Sequence, residues 1–288
     1  MDSEASESFS TQHHHHQFVL SSGASAHKWQ CDSSSPRAIL ILQHGFGEYA
    51  ERYVISHSQF IPKLNAARFE VWALDLWGHG TSPGDRGIVD VEMAVKDHLE
   101  MRRRADARGL PVFLFGRSLG GLITAASVAE NSSYHTNGVI LSSPALTEGL
   151  PLPAEYLVHL LAYFMPTTQI PTPKASAEDL CGDPEQARLT AEDESKYKGQ
   201  ISFLVASSAL QVARRLWARC GQWTQSTLVI HGTSDSHAQF RLSERLVRDI
   251  ASTDKTLHPV EGGYHELLNE EDPKEIVNLL FDWLESHM

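Results

Sequence analysis

The chain has 288 residues, 41% of them hydrophobic and 21% charged, and carries a formal net charge of −12. That is ordinary globular composition, and one α/β domain of this length buries enough surface to need neither disulfides nor a metal for stability. The acidic balance speaks against nucleic acid as a partner, which calls for a basic face.

Residues 1–16 are rich in Ser, Glu and His with almost no apolar content, and are expected to form a disordered tail whose histidine run is not a metal site. The start lacks the positive and apolar regions of a secretory signal, and no apolar run approaches the ~18 residues of a membrane span. Cys31, Cys181 and Cys220 are odd in number, widely spaced and without a CxxC pair, as in a reducing compartment. A cytoplasmic protein is expected.

Further along, Ala38-Ile39-Leu40-Ile41-Leu42 is a wholly apolar run that predicts a strand buried on both faces. Tyr53, Phe60, Ile61 and Leu64 follow at helical spacing, then a second strand over 69–74. Val91, Ala94, Val95 and Leu99 mark a helix whose Arg102-Arg103-Arg104 stretch reads as a solvated face. A third strand over 112–115 leads into a helix over 119–129, and further strands are expected over 139–141, 228–230 and 256–260. The last helix is signalled by Asp272 as N-cap, Pro273 at its first position and Glu275 closing a capping box. Strands alternating with helices imply an α/β fold with a mostly parallel, doubly wound sheet. Residues 145–218 break the alternation with prolines, an apolar helix over 155–165 and an acidic section, which predicts an inserted helical cap. The core is then 17–144 and 219–288.

Gly116-Arg117-Ser118-Leu119-Gly120 follows a strand and opens a helix, the context that gives G-x-S-x-G its meaning. A sharp turn there lifts a serine hydroxyl clear of the sheet, above a helix N-terminus that favours a developing anion. Serine is a weak nucleophile without a base, and the base is expected on a late loop at the carboxyl edge of the sheet. His265 follows the strand over 256–260, and Asp235 follows the strand over 228–230 as its orienting acid. The order Ser118, Asp235, His265 is that of α/β-hydrolase triads. Two amide donors are needed for the oxyanion, and Leu119 and Phe46, the latter in the loop after the first apolar strand, are in position to supply them. His44 is read as a buttress of that loop.

The stretches 44–53, 74–82, 111–121 and 254–265 together resemble the monoacylglycerol lipase, lysophospholipase-like branch of the α/β hydrolases. The resemblance runs from about Phe18 to the C-terminus and is weakest in the cap. It implies a cytosolic or membrane-peripheral enzyme that releases a fatty acid from glycerol through an acyl-serine, with no cofactor and no metal. It implies a lipid-like ester as partner and a cap that touches the membrane surface. It also implies that Glu48 and Arg52 lie near the polar end of the acyl site, as substrate contacts or as an internal ion pair; Arg117, a fixed cation beside the nucleophile, is a further candidate substrate contact. Arg117 stands where the elbow of this family often has His, and Leu268 where some members carry a second His. The alternatives left open are a lysophospholipase, a general carboxylesterase, an acyltransferase or a non-catalytic ligand-binding homologue. The oligomeric state has no signature in the sequence.

Overall fold

A computed structural model describes residues 15–31, 35–131, 133–171 and 176–288. Eight strands form one sheet: β1 (His15–Val19), β2 (Ser25–Trp29), β3 (Ala38–Gln43), β4 (Phe69–Leu74), β5 (Val112–Arg117), β6 (Gly138–Ser142), β7 (Thr227–Gly232) and β8 (Lys255–Val260). Their order across the sheet is β1-β2-β4-β3-β5-β6-β7-β8. The pairs β1–β2 and β2–β4 are antiparallel, and every pair from β4 to β8 is parallel.

The apolar strands are continuous because the sheet is covered on both faces. Along β3, Ile39 and Ile41 enter one core cluster while Ala38, Leu40 and Leu42 enter the other. The first cluster is closed by the helices α3 (Val91–Asp106), α4 (Leu119–Glu130), α7 (Phe203–Arg219) and α8 (Phe240–Asp249). The second is closed by α1 (Arg52–Ile55), α2 (Phe60–Ala66) and α9 (Lys274–Ser286). Between β6 and α7 lie α5 (Leu152–Phe164) and α6 (Pro184–Glu192). No helix among the described residues is long and apolar enough to cross a membrane.

Several expectations are corrected. Strand β1 starts at His15, so the last two residues of the expected tail are ordered in a hairpin with β2, while residues 1–14 lie outside the described residues. The helical spacing from Tyr53 to Leu64 is interrupted at His57, Ser58 and Gln59, three consecutive residues with positive φ. The 267–269 segment holds this break: Asn269 accepts the His57 amide at 2.7 Å and the Leu268 carbonyl accepts the Ser58 hydroxyl at 2.7 Å. Arg102 is fully buried rather than solvated. It donates to the carbonyls of Ser127 and Asn131 at the end of α4, where the negative end of the helix dipole stands in for a carboxylate. Helix α7 falls in the stretch expected to be cap, yet its Val205, Val212, Ala213 and Leu216 belong to the core. At the last helix, Asp272 accepts the Lys274 amide at 3.3 Å, and the helix begins one residue after Pro273.

Candidate active site

Ser118 sits between β5 and α4 with φ 54° and ψ −122°, a conformation that costs a non-glycine residue energy and persists only where its surroundings enforce it. Those surroundings require glycine on both sides. A Cβ on Gly116 would stand 2.5 Å from Thr124 Oγ1, and one on Gly120 would stand 2.2 Å from the Gln43 carbonyl. The elbow is therefore packed against both α4 and β3.

The three residues separated by 147 positions in sequence meet at this point. Ser118 Oγ donates to His265 Nε2 at 2.9 Å, and His265 Nδ1–H donates to Asp235 Oδ2 at 2.7 Å. The other Asp235 oxygen accepts the amides of His237 at 2.8 Å and Ala238 at 2.9 Å, which fixes the carboxylate. Burial opposes ionisation of Asp235, but hydrogen bonds from His231, His265 and Ala238 outweigh it and hold the carboxyl well below the usual range. Burial pushes the His265 imidazole down. Asp235 resists that shift and the Arg117 cation adds to it, leaving His265 neutral near pH 7 and able to accept a proton.

The loop after β3 faces Ser118 closely enough that a Cβ on Gly45 would lie 2.9 Å from the Ser118 Cβ. His44 is a buttress, its Nδ1–H donating to the Gly45 carbonyl at 2.7 Å and its Nε2 accepting the Leu76 amide at 3.2 Å. Leu119 is the first residue of α4, and a first-turn amide has no acceptor within its own helix; Phe46 lies in the loop after β3. A residue that sequence reasoning missed also shapes this loop. His79 accepts the Gly47 amide at Nε2, 3.0 Å away, while its Nδ1–H donates to the Trp77 carbonyl at 2.8 Å. The Gly78-His79-Gly80 turn was the available signal.

Glu48, Arg52 and Arg117 are buried together, with three partners the sequence did not suggest: His57, Lys196 and Glu266. Arg52 pairs with Glu48 and lies 3.5 Å from Glu266; Arg117 lies 3.0 Å from Glu266 and 3.4 Å from Glu48. Lys196 Nζ is 3.2 Å from Glu48 and 3.5 Å from Glu266. Burial alone would raise both carboxyls, but the surrounding cations hold them well below the usual range, and burial drives His57 down to about 3. Glu48, His57 and Glu266 are close enough to share a metal ion. Three cations already occupy the carboxylates, so the arrangement suits an ion-pair cluster better than a metal centre.

A cavity of about 710 Å³ opens over Ser118. Phe46, Arg117, Ser118 and His265 line it from the sheet side, and Lys196 and Tyr197 from the segment between α6 and α7. Arg117 thus faces the cavity, whereas Glu48 and Arg52 are not part of its wall. The upper segment is tied to the loop after β3. The Tyr197 amide donates to the Gly47 carbonyl at 2.9 Å, and its ring meets that of Phe46 edge-on. The Tyr49 hydroxyl donates to Asp193 at 3.0 Å.

Parallel strands with helices on both faces, and a strained serine joined to a late histidine and aspartate at their carboxyl ends, define an α/β hydrolase. The chain belongs to the family described as serine aminopeptidase, S33, whose model matches residues 34–272. It is 29% identical over 265 residues to the monoacylglycerol lipase of Mycolicibacterium smegmatis, covering 90% of this chain and 92% of that one. It is 29% identical over 245 residues to the monoglyceride lipase of Rattus norvegicus, covering 83% and 78%. The crystal structure of Paleococcus ferrophilus monoacylglycerol lipase matches with a TM-score of 0.80 at 28% identity, over 92% of this chain and 99% of that one.

Proposed function

We propose that this chain is a serine hydrolase that cleaves fatty-acyl esters of glycerol, releasing the fatty acid through an acyl-serine. The carrying observation is the continuous Ser118–His265–Asp235 hydrogen-bond chain opening on the cavity. Ser118 Oγ attacks the ester carbonyl as His265 Nε2 takes its proton, and the carbonyl oxygen becomes an oxyanion held by the Phe46 and Leu119 amides. The C–O bond to the alcohol breaks and His265 protonates the departing oxygen. Water then gives a proton to His265, attacks the acyl-serine and restores the hydroxyl. Asp235 keeps the His265 proton on Nδ1 and stabilises the imidazolium that forms at each step.

An aminopeptidase reading is less well supported, because an α-ammonium group needs acidic partners. Arg117, Lys196 and Lys198 line the cavity against a single carboxylate, Glu266. Residues 145–201 act in this proposal as a cap, with α7 part of the core. Helix α5 is the lipid-facing element: Leu152, Tyr156, Tyr163 and Phe164 are each at least 70% exposed. A cytoplasmic enzyme that meets its substrate at a membrane surface accords with that face.

The test is fatty-acid release from 1-lauroylglycerol and from p-nitrophenyl butyrate. Ser118→Ala is expected to lower kcat by about 10³–10⁶ for both esters. Undiminished hydrolysis in that variant would overturn the proposal.

A further inference from the structure

The loop that carries Phe46 is fixed one peptide at a time. The Gly45 carbonyl accepts His44 Nδ1–H at 2.7 Å. A carbonyl and the next amide point in opposite directions across a planar trans peptide, so this bond also sets the direction of the Phe46 N–H. The following peptide is held at its Gly47 amide, which donates to His79 Nε2 at 3.0 Å. Both histidines are fully buried in the core. The third peptide is held from the other side of the cavity, where the Gly47 carbonyl accepts the amide of Tyr197, a cap residue, at 2.9 Å. Gly47 has φ +79°, and a Cβ there would stand 2.7 Å from the Tyr197 carbonyl, so loop and cap meet backbone to backbone.

The side chains repeat this arrangement. The Phe46 ring meets two others edge-on, its centroid 5.3 Å from that of His79 and 5.5 Å from that of Tyr197. Those two lie 6.4 Å apart and close the triangle. The Tyr197 ring has little room to shift: a Cβ on Gly87 would stand 2.2 Å from its Cε1, and one on Gly199 2.2 Å from its hydroxyl oxygen. Gly87 belongs to the core turn that carries His79, its amide donating to the Gly78 carbonyl at 3.0 Å. The Tyr197 hydroxyl is spent within the cap, accepting Gln169 Nε2–H at 2.8 Å and donating to the Gln200 carbonyl at 3.2 Å. The ring and the backbone amide are what face the core.

Resting on the ester-hydrolase reading above, with the Phe46 amide as an oxyanion donor, we infer that Tyr197 is a positioning residue: its ring and amide set the Phe46 amide from the cap, and the oxyanion hole is complete only while the cap is seated on Gly47. Tyr197 acts through Phe46 and touches no reacting atom. When the cap lifts, Gly47 loses its carbonyl partner and, as a glycine in the left-handed region, is free to turn. Phe46 then loses one of its two aromatic neighbours. A misplacement of about 1 Å in such a group costs about 10²-fold in rate, so hydrolysis is confined to a cavity that the cap has closed.

The experiment measures kcat and KM for p-nitrophenyl butyrate and 1-lauroylglycerol, together with inhibition by butylboronic acid, whose tetrahedral adduct on serine puts an oxygen in the oxyanion hole. Tyr197→Ala is expected to lower kcat about tenfold or more on both esters with KM within about threefold, and to weaken the boronate by a similar factor. Tyr197→Phe keeps ring and amide and is expected to retain at least about half of kcat. Tyr197→Leu fills the space without an aromatic edge and is expected to fall with Tyr197→Ala, which it replaces if the alanine variant does not fold. Adding Tyr197→Ala to Phe46→Ala is expected to cost little more than Phe46→Ala alone, as when one residue acts through another. An unchanged kcat in folded Tyr197→Leu, a loss confined to KM, or a boronate affinity that stays constant while kcat falls would overturn the inference and leave the hydrolase standing. Failure of the unaltered protein to cleave either ester would overturn both.

Discussion

Arg117 occupies the position just before Ser118, where it touches two carboxylates and depresses the basicity of the histidine that serves Ser118. Burial and this cation both disfavour the imidazolium, so His265 titrates below the ordinary imidazole range, and the acidic limb of kcat/KM is expected below about pH 6.5. Replacing Arg117 by Gln removes a positive charge and leaves Glu266 less compensated, and both changes favour the imidazolium. The limb is therefore expected to move to higher pH, along with a fall in maximal rate. An unmoved limb in a folded Arg117→Gln protein would contradict the electrostatic role. Of the residues in the cluster, Glu48, Arg52 and Arg117 were visible in local motifs. His57, Lys196 and Glu266 were not, because what makes them matter is burial against partners up to 214 positions away.

Among the elements, α5 departs most from ordinary surface chemistry. Its helix was legible, but a sequence apolar nearly all round favours packing on the core over exposure as a lid. The structure leaves Tyr163 81% and Leu152 78% exposed, and the only buried α5 residue is Glu155, paired with Arg214 and His159. A protein of net charge −12 gains nothing from anionic lipid, so the docking through α5 proposed above would rest on apolar burial. Flotation with phosphatidylcholine vesicles is expected to bind the protein at least as well as phosphatidylserine vesicles do. A Leu160→Asp, Tyr163→Asp variant is expected to lower partitioning about tenfold or more. Equal flotation of the variant would remove α5 as the docking element. Other elements were hidden for different reasons. The β1–β2 hairpin carries His15, His16, His27 and Lys28, polar residues acceptable at the sheet's antiparallel edge but without an apolar run. Helix α7 follows the cap in sequence, and only the packing shows that it belongs to the core.

At the scale of the whole molecule, the fold buries histidines without charging them. His57, His79 and His98 are each driven by burial to about 3. Their folded values lie below the unfolded one near 6.5, so the stability they contribute is fully present above pH 6.5. It is lost as pH falls and the unfolded chain takes up protons that the native one refuses. Each contributes about 1.4 kcal/mol per pH unit within that window, and between pH 7 and pH 5 the three together cost about 5–6 kcal/mol. That is a large share of a typical domain's stability, and urea denaturation is expected to show a steep decline. A flat profile from pH 7 to pH 5 would contradict it. The parallel order, the elbow and the three residues at separate strand ends were legible because each rests on a local pattern repeated in chain order. The ion-pair cluster and the cap's hold on Gly47 were not, since they arise only when distant loops meet. The central claim of the proposed function is a nucleophile made from residues 118, 235 and 265, and its most direct test is reaction with a fluorophosphonate followed by peptide mass analysis. A single adduct on the peptide holding Ser118, absent in Ser118→Ala and slowed in His265→Ala, is the result expected. An unlabelled protein, or an adduct elsewhere on the chain, would contradict the account.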